Sequence, residues 1–163
     1  MSLYDPDRYN PRTSAADRAR ESTEVVLASS TGGAGPFPII TTLFAEPITV
    51  VSTTIDTRRI GNAAIWLNFT SIVSLPLGIS VTLNFQVNRI RDDGSLIGVG
   101  STYTFSTLAT ALEAESFAFQ FVDQNISPGV YTYEVVLSTN SIIDITPGLT
   151  INNATLTALA VAR

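Results

Sequence analysis

VTLNFQVN at residues 81–88 alternates apolar and polar side chains with a period of two, and FAFQF at 117–121 and YTYEVVL at 131–137 do the same. Val81, Leu83, Phe85 and Val87 point one way, and Thr82, Asn84, Gln86 and Asn88 the other. Successive side chains of a strand leave opposite faces of a sheet, so this alternation predicts half-buried antiparallel strands. Working outward, similar segments at short intervals predict strands near 48–56, 62–73, 79–91, 96–106, 115–123, 129–138, 141–146 and 150–162. Asp92-Asp93-Gly94 supplies a glycine for positive φ between two long strands, a hairpin signal. Pro128-Gly129 and Pro147-Gly148 are turn dipeptides, and Pro76 and Gly78 bracket another break. The one helix-leaning piece is LATALEAE at 108–115, which reads equally as a loop before the Phe117 strand. About eight strands without a long helix predict an all-β fold, a jelly-roll-type antiparallel β-sandwich.

The chain has 163 residues, a size for one domain with a substantial core. It is 45% hydrophobic and only 14% charged, yet no apolar run is long enough for a membrane helix. A surface of Thr, Ser and Asn in place of charge fits a two-layer β fold, and fits a protein buried among its own copies.

There is no Cys, His or Lys; all nine basic residues are Arg. That excludes disulfides, ordinary zinc sites and His-based triads. Schiff-base chemistry and the phosphate-loop lysine go with them. A net charge of −5 argues against a nucleic-acid surface. No cofactor and no metal is expected, and the chain does not read as an enzyme.

Residues 1–38 read as an N-terminal arm, and 39–163 as the sandwich domain. The first 24 residues hold nine of the 23 charged side chains. Pro6 and Pro11 disfavour helix before them. SAADRARES at 14–22 offers a short helical turn capped by Ser14, too short to be stable alone. The start lacks the basic and apolar regions of a signal peptide, so the expectation is a mature chain, a cytosolic protein, or one deployed by another route. Leu3, Tyr4 and Tyr9 are anchors that a purely solubilising tail does not need. Val25, Val26 and Leu27 form a short strand candidate, and the Gly/Ser run 29–36 reads as a flexible linker, with Gly32, Gly33 and Gly35 as its hinge. A strand beyond a hinge can pair with its own sheet or with a neighbour's edge.

Candidate chemistry is sparse. Glu113 and Glu115 lie two apart on one strand, a poor match to carboxylates flanking a glycosidic bond. Asp92 and Asp93 lack the rest of a calcium loop, and a turn explains them. Arg58-Arg59 and Arg89/Arg91 are suited to carboxylates, including those of the arm, but read first as a solvated edge. Asn68-Phe69-Thr70 and Asn153-Ala154-Thr155 match the glycosylation sequon as accidents of an Asn- and Thr-rich chain. Trp66 lies opposite Ile65, Leu67 and Phe69, where it covers a sheet edge, joins a subunit contact or stacks on a ligand.

VTLNFQVNRIRDDGS (81–95), STYTF (101–105), ALEAESFAFQFVDQNISPGVYTYEVVLS (111–138) and TPGLTINNATLTALAV (146–161) together resemble the β-domain proteins of spore-forming Firmicutes. That group includes exosporium proteins and the Ena-like subunits of endospore appendage fibres. The resemblance covers about residues 45–163. It implies a jelly-roll subunit at the spore surface or outside the cell, polymerising with itself into a helical, pilus-like fibre. The arm would insert into a neighbour, with strand augmentation between protomers and a spore-surface protein as anchor. Leu3, Tyr4, Tyr9, Val25, Val26 and Leu27 would be the assembly contacts. Family members carry Cys in the arm and in the segment matching Asp123–Tyr131; this chain has none, so its fibre would hold without covalent links. The alternative is a closed trimer of the exosporium kind, or a lectin-like binding module.

Overall fold

The structure, a computed structural model, describes residues 24–37, 46–76, 80–108, 113–139 and 148–163. Eight strands run through them: β1 (Val25–Ala34), β2 (Ile48–Asp56), β3 (Ala63–Leu75), β4 (Ser80–Arg91), β5 (Leu96–Leu108), β6 (Glu113–Ile126), β7 (Val130–Ser138) and β8 (Thr150–Ala162). One sheet has the order β1-β8-β3-β6 and the other β2-β7-β4-β5.

The antiparallel pairs β1·β8, β2·β7, β3·β6 and β4·β5 are nested one outside the next. The chain is thus one long ribbon doubled back at the β4–β5 turn. Pairings β3·β8 and β4·β7 then roll the ribbon into two sheets. That is a jelly roll, and its topology follows from the strand order alone.

The innermost turn is built as its residues dictate. Gly94 takes φ 79°, its N–H donates to Arg91 O at 2.9 Å, and Ser95 N–H donates to Asp93 Oδ1 at 2.8 Å. Positive φ costs glycine little, which is why it stands there.

Seven of the expected strands appear within a few residues of their places. The eighth expected strand, 141–146, lies outside the described residues. β1 takes its place in the count, and it extends the short strand expected at Val25–Leu27 to ten residues. The helix-leaning 108–115 contributes its ends to β5 and β6, while 109–112 lie outside the described residues.

The alternation that predicts the strands also places the core. Val81, Leu83, Phe85 and Val87 are buried from the second sheet, and Ile65, Leu67, Phe69, Leu156 and Ala158 from the first. Each large aliphatic taken from water contributes about 1.5–3 kcal/mol. Aromatic rings join the layers: Phe69 lies 5.7 Å from Phe85, and Tyr103 stacks on Phe119 at 3.9 Å between centroids.

Candidate functional site

Residues 29–34 are strand, where their composition reads as a linker. β1 pairs with β8 from Val25↔Val161 to Gly32↔Ala154, with an irregularity before Ala34↔Ile151. The glycines mark close backbone approach. A Cβ on Gly32 would sit 2.4 Å from Val50 O, and one on Gly33 would sit 2.7 Å from Ile151 O. Gly35 follows the strand with φ +100°. Phe37 is buried in the core and its N–H donates to Leu149 O at 3.0 Å. The boundary expected at residue 38 therefore falls after two pieces that this chain builds into its own sandwich. Val26 packs against the core, whereas Val25 and Leu27 face outward, 50% and 66% exposed. β1 is an edge strand, hydrogen-bonded to β8 on one side. Leu3, Tyr4 and Tyr9 lie outside the described residues.

Arg89 is not on a solvated edge. Its Nη1 donates to Asp123 Oδ2 at 2.6 Å, and Tyr133 Oη donates to the same oxygen at 2.8 Å. Asp123 belongs to one sheet and Arg89 and Tyr133 to the other, so the cluster ties the layers through the interior. The Arg89 and Asp123 side chains are 12% and 10% exposed. Burial works against the Arg89 charge, but the field and hydrogen bond of Asp123 outweigh it and hold the guanidinium above its ordinary pKa. Burial first, and the Asp123 charge second, push the Tyr133 phenol well up. Arg89 Nε is buried without a hydrogen-bond partner among the described residues. Sequence reading missed this cluster, although period two carries the signal. Arg89 continues the inward row of Val87, Asp123 that of Phe121, and Tyr133 that of Val135.

The other candidates stay local. Arg58 forks onto Asp56, with Nη2 donating to Oδ2 at 2.6 Å. That hydrogen bond holds the Asp56 carboxyl at a pKa of about 2. Glu115 Oε1 accepts from Thr107 Oγ1 at 3.5 Å. Arg91, Asp92 and Asp93 line an open cleft of about 220 Å³ beside the 127–131 turn. Among the described residues no three His, Cys, Asp or Glu side chains are grouped to hold a metal, and no helix is long and apolar enough to cross a membrane. Trp66 is on β3, a central strand and not an edge, with its ring on the outer face and half-buried.

Residues 23–161 match the family described as a domain of unknown function, DUF4489. The chain belongs to the DUF4489 family. No curated protein matches it. The DUF4489 chain is similar in fold to the infectious bursal disease virus VP2 subviral particle, with 13% identity and a TM-score of 0.49 over 87% of this chain. It spans about a third (33%) of that VP2 chain. It is also similar to CBM35 from Cellvibrio japonicus Abf62, at 13% identity and a TM-score of 0.35, covering 86% of this chain and 99% of that one. A third is the CBM22-1 xylan-binding domain from Paenibacillus barcinonensis Xyn10C, at 13% identity and 0.32, covering 75% and 85%. The DUF4489 match begins two residues before β1 and ends within β8.

Proposed function

We propose that this chain is a non-enzymatic structural subunit that assembles with copies of itself into a non-covalent, pilus-like fibre at a spore surface or outside the cell. In this reading residues 1–23 insert into a neighbouring subunit, and open strand edges are augmented by the next protomer. A spore-surface protein anchors the fibre.

The observation that carries the reading is the position of β1. Among the described residues it is an edge strand, paired with β8 and with no strand on its far side, and residues 1–23 precede it in the sequence. An unpaired edge is a template for another strand, and no Lys guards any edge of this molecule. A contact made by a donated arm is heterologous, and it propagates unless rotation closes a ring. With no Cys, such a fibre would hold by packing and backbone hydrogen bonds.

The test is negative-stain electron microscopy of the full chain beside one lacking residues 1–22, which retains β1. Filaments from the first and isolated particles from the second support arm-driven assembly. Particles of one size from both point instead to a closed oligomer or a binding module, and filaments from both remove the arm from the mechanism.

A further inference from the structure

The outer face of the β1-β8-β3-β6 sheet carries an apolar row that crosses all four strands. Leu27 lies opposite Leu159, Leu159 opposite Trp66, and Trp66 opposite Val122. Leu27 is 66% and Val122 41% exposed. Val25 and Val161 extend the patch toward one end of the strands. The next row is polar and neutral: Ser29, Thr157, Asn68 and Gln120.

None of the residues these four strands turn outward is charged. Asp123, Glu113 and Glu115 sit at inward positions of β6, opposite Ile65, Leu75 and Val73. In a chain of net charge −5, a face four strands wide with no charge in its strands, Arg163 reaching Gln124 Oε1 only past the end of β8, has the depletion that marks the centre of an interface.

We propose that this face is an isologous contact with a second copy of the chain. Two observations single out that occupant. A two-fold contact sets identical surfaces against each other, so any charge near its axis would meet its like; the four strands themselves turn none outward, and Arg163, which donates to Gln124 Oε1 at 3.3 Å, lies past the end of β8 at the rim. Its size also fits. Four strands about 4.8 Å apart and up to 13 residues long, at about 3.3 Å per residue, offer on the order of 800 Å². That is about what each partner buries in a stable interface.

The geometry fixes the arrangement. A two-fold axis along the strand direction, between the central strands β8 and β3, brings each cross-strand row onto itself. Leu159 of one copy then meets Trp66 of the other, and Leu27 meets Val122. This contact is independent of residues 1–23.

The chain has no Cys, so one introduced thiol reports on one position. Asn68→Cys places it on this face, and Asn84→Cys places it on the outer face of the other sheet. Modification by a thiol reagent is followed in the full chain from dilute to concentrated protein. The expected result is protection at 68 that grows with concentration, none at 84, and loss of that protection when Leu159→Glu is added, with the far-ultraviolet spectrum unchanged. Protection at 68 that does not depend on concentration would mean that the chain covers its own face, and would overturn the proposal. Protection at both positions would mean that one sheet stacks on the other sheet of the next copy, overturning the two-fold arrangement. Reaction at 68 undiminished at every concentration would show a free face and would overturn the proposal as well.

Discussion

Arg89 Nη1 lies 2.6 Å from Asp123 Oδ2, joining the β4 strand of one sheet to the β6 strand of the other inside the sandwich. Breaking a buried pair leaves one charge uncompensated and costs about 3–5 kcal/mol. Asp123→Asn and Arg89→Leu should each lower the thermal midpoint by roughly 10 °C, at about 2–4 °C per kcal/mol for a chain of this size. Arg89→Met with Asp123→Leu should recover part of that loss, since neither charge then remains. Calorimetry of the three variants checks it; a double variant less stable than both singles would contradict the account.

Tyr133 gives an alkaline signature. Its phenol pKa is raised in the folded state, first by burial and then by the Asp123 charge. A group raised on folding contributes stability that is complete below its unfolded value of about 10. That contribution falls as pH rises above it, because the unfolded chain ionises first. The phenolate absorbance that Tyr133 contributes, read as wild type minus Tyr133→Phe, should therefore appear only together with loss of the near-ultraviolet circular dichroism. A Tyr133 signal preceding unfolding would place the phenol in contact with solvent.

Gly32 is a test of the strand reading. Its missing Cβ would lie 2.4 Å from the carbonyl oxygen of Val50, which is backbone. Gly32→Ala should destabilise by about 1–3 kcal/mol, the usual cost of overpacking. Gly61→Ala, with nothing within 4 Å of the added carbon, should stay within about 0.5 kcal/mol. Urea midpoints distinguish the two, and equal midpoints would mean that residues 29–34 are not held as strand.

At the acid end the relevant group is Asp56, whose carboxyl is held at about 2 by the Arg58 hydrogen bond. A depressed carboxylate pKa contributes stability above the unfolded value of about 3.9, and this is lost as pH falls toward 2. The pair is exposed, so the effect is small. Wild type should exceed Asp56→Asn in thermal midpoint above pH 4, with the two curves converging near pH 2. Parallel curves down to pH 2 would remove the ion pair from the stability of the β2 end.

Most of the sandwich was legible because the period of two is imposed by burial, and burial decides the fold. Val81 to Val87 and Tyr131 to Leu137 show this directly. Residues 29–34 were not legible. Glycine reads as freedom in a composition, and the carbonyls that Gly32 and Gly33 must approach belong to residues far along the chain. Arg89 and Asp123 were concealed by their charge. Each stands in an apolar row, but period alone does not reveal a partner on the opposite sheet. Trp66 lies on the expected outer face but on a central strand and not at a sheet edge, since strand order across the sheet is not written in local sequence. The row from Leu27 to Val122 needed the registers of four strands before it could be seen.

The nesting of β1 with β8 also orders events in time. Synthesis produces β1 first and β8 last, so the strand made earliest waits for the one made latest. Long-range pairings close slowly. Throughout that interval the N-terminal strand of every nascent chain is an unsatisfied donor beside other copies in the same condition. Whether a cell obtains separate sandwiches or joined ones is then a matter of kinetics, set by how quickly the last thirteen-residue strand reaches the first.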